Sequence, residues 1–259
     1  DGNMYNKYLK ALISFEGVEL AEYTISEKRN RGAFRAVIDQ QAIVKWNFQE
    51  ELQWTPENPR LFDIKFYIYN KDGQLIDKVS SYFGMRKVSI VDGKFMLNNR
   101  PYYQKLVLDQ GYWEESLLTA PTDEAFIRDI ELAKEMGFNG ARKHQKIEDP
   151  RYLYWADKLG FLVWGEIAAT YVYSRRAVNR LTNEWMDAIF RDYNHPSIVA
   201  WTPINESWGV PNILNNRDEQ SFSAAMVYLT KSLDSTRPVI SNDGWEHTHT
   251  DLLTIHDYC

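Results

Sequence analysis

The sequence predicts two domains of different class, a small antiparallel β-sandwich followed by an α/β barrel, and three observations carry that prediction. Up to about residue 90, apolar side chains recur every second residue. Beyond it, short apolar strands alternate with capped helices, the pattern of a parallel sheet with helices outside it. No Gly-rich phosphate loop follows any of those strands, which removes the main support for an open dinucleotide-binding sheet. We place the sandwich in residues 1–88 and the barrel portion in residues 89–259, each of ordinary domain size.

In the first half, Phe62-Asp63-Ile64-Lys65-Phe66-Tyr67-Ile68 reads as a half-buried strand. Lys71-Asp72-Gly73 turns it into a second strand over residues 75–83. Residues 9–15 and 34–38 supply further strands, and the two prolines of Trp54-Thr55-Pro56-Glu57-Asn58-Pro59 exclude one there. In the second half, Asp92-Gly93 turns a hairpin and residues 102–108 form a strand. Thr122 caps a helix running to Met136 and stopped by Gly137. The alternation continues with strand 138–142, helix 150–159 closed by Gly160, strand 161–167, helix 181–193, strand 198–204, helix 221–233, and strands near 238–241 and 252–256. Six strands result, so the sequence predicts a barrel truncated after about the sixth.

Composition excludes several classes. The net charge is −6 and no Lys/Arg cluster lines a face, which argues against a nucleic-acid partner. No run approaches the roughly 20 apolar residues that span a bilayer, so no membrane partner is expected. Asp1-Gly2-Asn3-Met4-Tyr5 shows no basic then apolar pattern of a signal peptide. The single cysteine, Cys259, precludes an internal disulfide and leans towards a reducing, cytoplasmic compartment. Nine Trp and 16 Tyr offer flat faces suited to sugar rings, although most such residues fill cores.

Polar residues gather where strands end: Asp109, Arg142-Lys143-His144, Glu166, Asn205-Glu206, Asn242-Asp243 and His256-Asp257. Catalytic groups of a barrel come from these ends. Glu206 closes an apolar strand flanked by Trp201 and Trp208, a setting that desolvates a carboxyl and suits a general acid.

These residues resemble glycoside hydrolase family 2, the family of β-galactosidases, β-glucuronidases and β-mannosidases. The most specific stretch is Arg191-Asp192-Tyr193-Asn194-His195-Pro196-Ser197-Ile198-Val199-Ala200-Trp201-Thr202-Pro203-Ile204-Asn205-Glu206-Ser207. Residues 54–59, 80–88, 137–142 and Asp234-Ser235-Thr236-Arg237-Pro238 agree with it. The resemblance implies an immunoglobulin-like sandwich followed by a TIM barrel and hydrolysis with retention. It implies that Glu206 is the acid/base, that Asn205 contacts the sugar 2-hydroxyl, and that Arg142 lies beside them. The family's nucleophilic Glu follows strand seven, past the last residue here, so the chain alone is expected to be inactive. Its open sheet edge is expected to favour self-association. The jelly-roll domain that usually precedes the sandwich in the family is not expected within these 259 residues.

The sequence departs from the family at Arg142-Lys143-His144-Gln145, where Arg-x-Ser-His is common, so His144 either replaces the family's sugar-contacting His or is a loop residue. Glu166 could touch the sugar or Arg142. Some members bind magnesium after this point, but Ile167-Ala168-Ala169-Thr170 offers few oxygen ligands, and neither a metal nor a cofactor is expected. Asp109, Trp245, His256 and Tyr258 sit at predicted strand ends, where a side chain contacts sugar or packs; Trp164 and Trp201 are read as core. Two rival readings are a non-catalytic carbohydrate-binding scaffold and, with no Ser–His pair in sight, an esterase or lyase.

Overall fold

The computed structural model describes residues 7–25 and 52–258. The chain divides into two compact units, residues 1–54 with 60–85, and residues 55–59 with 86–259.

In the first unit, strands β1 (Lys7–Phe15), β2 (Val18–Ile25), β3 (Phe62–Asn70) and β4 (Leu75–Phe83) form one antiparallel sheet in the order β2-β1-β3-β4. The expected strand at 34–38 lies outside the described residues. Glu16 and Gly17, both at positive φ, make the tight turn between β1 and β2. Ala11, Ile13 and Phe15 alternate inward along β1 and are buried with Leu20, Leu52 and Phe62. The Phe62 ring stacks 5.1 Å from Phe83 and lies 4.8 Å from Phe15. At the β3–β4 turn the Asn70 carboxamide oxygen accepts from the backbone N–H groups of Asp72 and Gln74, which fixes the turn read at residues 71–73.

The second unit opens with a three-stranded meander, β5 (Val88–Val91), β6 (Lys94–Leu97) and β7 (Arg100–Pro101). Then come β8 (Leu106–Asp109), α1 (Asp123–Glu135), β9 (Gly140–Lys143), α2 (Pro150–Leu159), β10 (Leu162–Glu166), α3 (Arg175–Asp192), β11 (Ile198–Thr202) and α4 (Arg217–Leu233). The four strands β8 to β11 are parallel neighbours in chain order, the arc of a barrel wall. Each helix begins on the cap its sequence offers: Thr122, Asp149 followed by Pro150, Ser174, and Asn216. Helices α3 and α4 start earlier than expected, because their first turns, opened by Arg175-Arg176 and Arg217-Asp218-Glu219-Gln220, are mostly polar and lack the apolar period that marks the rest.

The six-strand count needs correction. The segment near 238–241 pairs with β11 only through bridges, Trp201 with Val239 and, further on, Asn205 with Asp243. The segment near 252–256 forms no strand. Two backbone bonds tie residues 251–256 to the segment before them, Asp251 N–H to the Val239 carbonyl and His256 N–H to the Gly244 carbonyl. Side chains supply the rest: Thr250 and Thr254 hydroxyls accept from Ser241 and Gly244 N–H, and Asp251 accepts from Val239 N–H.

Between sheet and helices, Trp185 of α3 meets Trp201 of β11 edge-on at 5.5 Å, and their indole N–H groups donate to Thr230 and Asp234. The start of β11 is tied down by a buried polar knot. Arg237 pairs with Asp234 at 2.5 Å and donates to the carbonyls of Tyr193, His195 and Ile198. Arg86 donates to the carbonyls of Pro196 and Ile198, and Asp157 accepts from Ser197 N–H. Burial and the nearby Arg237 charge lower the Arg86 pKa to about 9. Removing a buried partner strands its counterpart, so Arg237→Met should cost about 3–5 kcal/mol in denaturant unfolding. Arg128→Ala, which breaks the exposed pair with Glu135, should cost under about 1 kcal/mol.

Candidate active site

Alternation along β9 sends neighbouring side chains to opposite sides. Lys143 leaves the barrel mouth: its ammonium meets Asp109 and Glu148 at 2.6 Å each and lies 4.3 Å from the Tyr152 ring on α2. Arg142 points the other way and gathers the strand ends. Its guanidinium donates to Glu166 at 2.9 and 3.3 Å and to the Asn205 carboxamide oxygen at 2.5 Å. It also pairs with Asp243 at 2.7 Å. Glu166, Asn205 and Asp243 are almost completely buried. Burial raises the Glu166 pKa to about 7 despite the opposing pull of Arg142 and of the Gln145 N–H that donates to it.

Beyond β11 the chain turns sharply, with Glu206 and Ser207 both at positive φ, a conformation that costs non-glycine residues energy. The 242–246 segment holds it there. Glu206 N–H donates to the Asp243 carbonyl, Ser207 N–H donates to the Asn242 side chain, and the Ser207 hydroxyl donates to Glu246. The turn leaves the Glu206 carboxyl partly exposed. One of its oxygens lies 2.6 Å from His256 Nδ1 and accepts from the Tyr258 hydroxyl; Trp245 is a third donor. Desolvation pushes the Glu206 pKa up, but the hydrogen bonds from Tyr258, His256 and Trp245 together outweigh it and hold the carboxyl below its ordinary value. The far nitrogen of His256 lies 3.3 Å from both Asp243 and Arg142, which links the acid to the buried network.

The structure therefore brings Glu206, Asn205, Arg142, Glu166, Trp245 and Tyr258 into one constellation. His144 sits at its edge, its ring nitrogens 3.4 Å from the Asn205 amide and 3.2 Å from Gln110; burial, then Arg142, lowers its pKa. Asp109 lies apart, its carboxylate taken by Lys143 and the Gly111 N–H. Asp243 is the residue the sequence reading did not single out, signalled only by its position at a predicted strand end; His256, weighed there between sugar contact and packing, lies against the Glu206 carboxyl. In the 167–170 segment, Ala169 N–H donates to the Gln145 side chain. Among the described residues no group of three His, Cys, Asp or Glu side chains is gathered as a metal would need.

Comparison with known proteins bears on family and fold. Residues 88–258 match the profile "Glycosyl hydrolases family 2, TIM barrel domain", and residues 3–86 match "Glycosyl hydrolases family 2". A β-galactosidase of Photobacterium profundum is 29% identical over 256 residues, covering 92% of this chain and 23% of that protein. A putative β-glucuronidase of Formosa agariphila is 27% identical over 265 residues, covering 95% of this chain and 30% of its own length. The chain thus spans less than a third of either relative. Among solved structures, a Bacteroides uniformis β-glucuronidase superposes with a TM-score of 0.74 at 26% identity, over 90% of this chain and 29% of that one. A Parabacteroides merdae β-glucuronidase at 19% identity shares the fold, with a TM-score of 0.75 over 90% of this chain and 29% of its own. Matched in both of its units, the chain belongs to glycoside hydrolase family 2.

Proposed function

We propose that this chain carries the acid/base half of a retaining β-glycosidase site, with Glu206 as the proton donor and acceptor. The observation that carries the reading is the Glu206 carboxyl itself, partly exposed at the end of a buried strand, held by three donors and set beside the buried Asn205 amide.

Retaining hydrolysis needs two carboxyl groups about 5–5.5 Å apart. In the first step Glu206 protonates the glycosidic oxygen as the second carboxylate attacks the anomeric carbon, and the leaving alcohol departs. In the second step the Glu206 carboxylate takes a proton from water, which attacks the anomeric carbon and frees the second carboxylate. Glu166 and Asp243 are poor candidates for that second group, because both are buried and already paired with Arg142. We assign it to a part of the whole protein outside this chain, and expect the chain alone to turn over no glycoside. Asn205, fixed by Arg142, turns its amide N–H₂ towards His144, and we assign that amide to a sugar hydroxyl. Arg142 and Glu166 orient Asn205 without touching the substrate. His256, Tyr258 and Trp245 stabilise the ionised form of Glu206, the form that activates water.

Two predictions follow from these roles. In the whole protein, Glu206→Gln should lower kcat/KM about a hundredfold to ten-thousandfold on aryl glycosides with poorly acidic leaving groups. It should have far less effect when the leaving phenol is strongly acidic, so a steeper dependence on leaving-group pKa checks the assignment. The second concerns pH. Glu206 must be protonated to start the reaction, so activity is lost as pH rises through its pKa. The Tyr258 hydroxyl stabilises the ionised form; Tyr258→Phe should therefore raise that pKa and move the alkaline limb of the kcat/KM profile to higher pH.

A further inference from the structure

The sequence leaves His144 between a sugar contact and a loop residue; the structure puts its ring between two amides. Strands β8 and β9 are parallel, with Asp109 in register with Lys143, and the His144 N–H donates to the Asp109 carbonyl at 2.9 Å. Gln110 and His144 are therefore the next facing pair past the ladder. Side chains alternate along a strand, so His144 returns to the side that Arg142 occupies, while Lys143 points away. There its Nε2 lies 3.4 Å from the Asn205 amide nitrogen, and its Nδ1 lies 3.2 Å from the Gln110 amide nitrogen.

Counting donors decides how this row of groups is protonated. The Asn205 carboxamide oxygen is taken by Arg142, so its nitrogen, a donor only, is the end that faces His144. Nε2 must then accept, and the ring proton sits on Nδ1. A proton there needs an acceptor, and a half-turn of the exposed Gln110 amide puts its oxygen in place of its nitrogen. An imidazolium would set N–H against N–H at the Asn205 end. Burial above all, then the charge of Arg142, disfavours that form. Glu206 and Asp243 favour it and His256 opposes it, and the balance holds the His144 pKa below its ordinary value.

We propose that His144, neutral with its proton on Nδ1 and backed by Gln110, is a positioning residue that orients the Asn205 amide for the sugar. Arg142 holds the oxygen of that amide and His144 holds one of its hydrogens, which leaves the second for a sugar hydroxyl. The proposal rests on the reading of Asn205 as the contact to the sugar 2-hydroxyl. Protonation of His144 removes the acceptor. The contribution of Asn205 is therefore present above the His144 pKa and lost as pH falls through it.

The test compares kcat/KM of the whole protein on a para-nitrophenyl β-glycoside and on its 2-deoxy counterpart, using whichever of the galactoside, glucoside, glucuronide and mannoside it hydrolyses. The ratio of the two cancels every ionisation common to both substrates, that of Glu206 included, and isolates what Asn205 adds. His144→Phe keeps a ring but has no acceptor, and should lower the ratio about five- to twentyfold. His144→Gln, whose amide oxygen can stand near the place of Nε2, should restore it to within about threefold. Gln110→Glu gives the Nδ1–H an anionic acceptor and raises the His144 pKa, so the acidic fall of the ratio should move up by about half a pH unit or more. Equal losses on both substrates in His144→Phe, or a ratio whose pH dependence ignores Gln110→Glu, overturn the proposal and leave the reading of Asn205 standing. Failure of Asn205→Ala to lower the ratio overturns that reading as well.

Discussion

Two side-chain carboxyl groups that are almost completely buried, Glu166 and Asp243, meet at the barrel mouth, and the Arg142 guanidinium lies between them and pairs with both. A buried charge without a partner costs several kcal/mol, whereas a cation that reaches two carboxylates and an amide offsets much of that cost. The consequence is geometric. Arg142 stands one residue before the end of β9, Glu166 ends β10, and Asn205 and Asp243 follow β11 and its bridged neighbour, so one side chain fixes how the strand ends stand relative to one another. Asn205 has little freedom once its oxygen is taken by Arg142, and Glu206 follows it directly.

The other end of β11 is held just as tightly, by Arg237, Arg86 and Asp157 bonded to the backbone of residues 193–198. Anchored at both ends, the strand can support a turn that is unfavourable by itself. Glu206 and Ser207 keep positive φ because Asn242 and Asp243 bond their backbone. Placement of a catalytic carboxyl to within a fraction of an ångström needs this kind of rigid support, and here the support is mostly polar. Outside that frame Tyr171 and Trp208 are exposed and meet on loops, with ring centroids 5.4 Å apart.

Much of this was legible in the sequence because local chemistry announced it. Thr122, Asp149 with Pro150, and Gly160 marked helix ends, and the alternation along residues 62–68 marked a strand. Strand-end polar residues pointed to Glu206, Asn205, Arg142 and Glu166. What stayed hidden depends on contacts between residues far apart in the chain. Asn242-Asp243 reads as one more strand-end pair, and nothing local shows that Asp243 shares a guanidinium with Glu166. Asp109 looked equivalent to the other strand-end groups, but the opposite facing of Lys143 draws it away from the mouth. The run at 252–256 has the apolar residues of a strand, yet only two backbone bonds tie it to residues 239 and 244, and threonine and aspartate side chains take the N–H groups of Val239, Ser241 and Gly244.

The account rests on Glu206 exchanging a proton rather than attacking carbon, and azide distinguishes these directly. In the whole protein carrying Glu206→Ala, a glycoside with a strongly acidic phenol should still form the covalent glycosyl-enzyme, which then lacks a base to activate water. Azide needs no such base. It should accelerate release of the phenol in steady state, and the product should be the β-glycosyl azide, with configuration retained. No acceleration by azide, or formation of the α-glycosyl azide, would contradict the assignment, the latter because it would place Glu206 as the nucleophile.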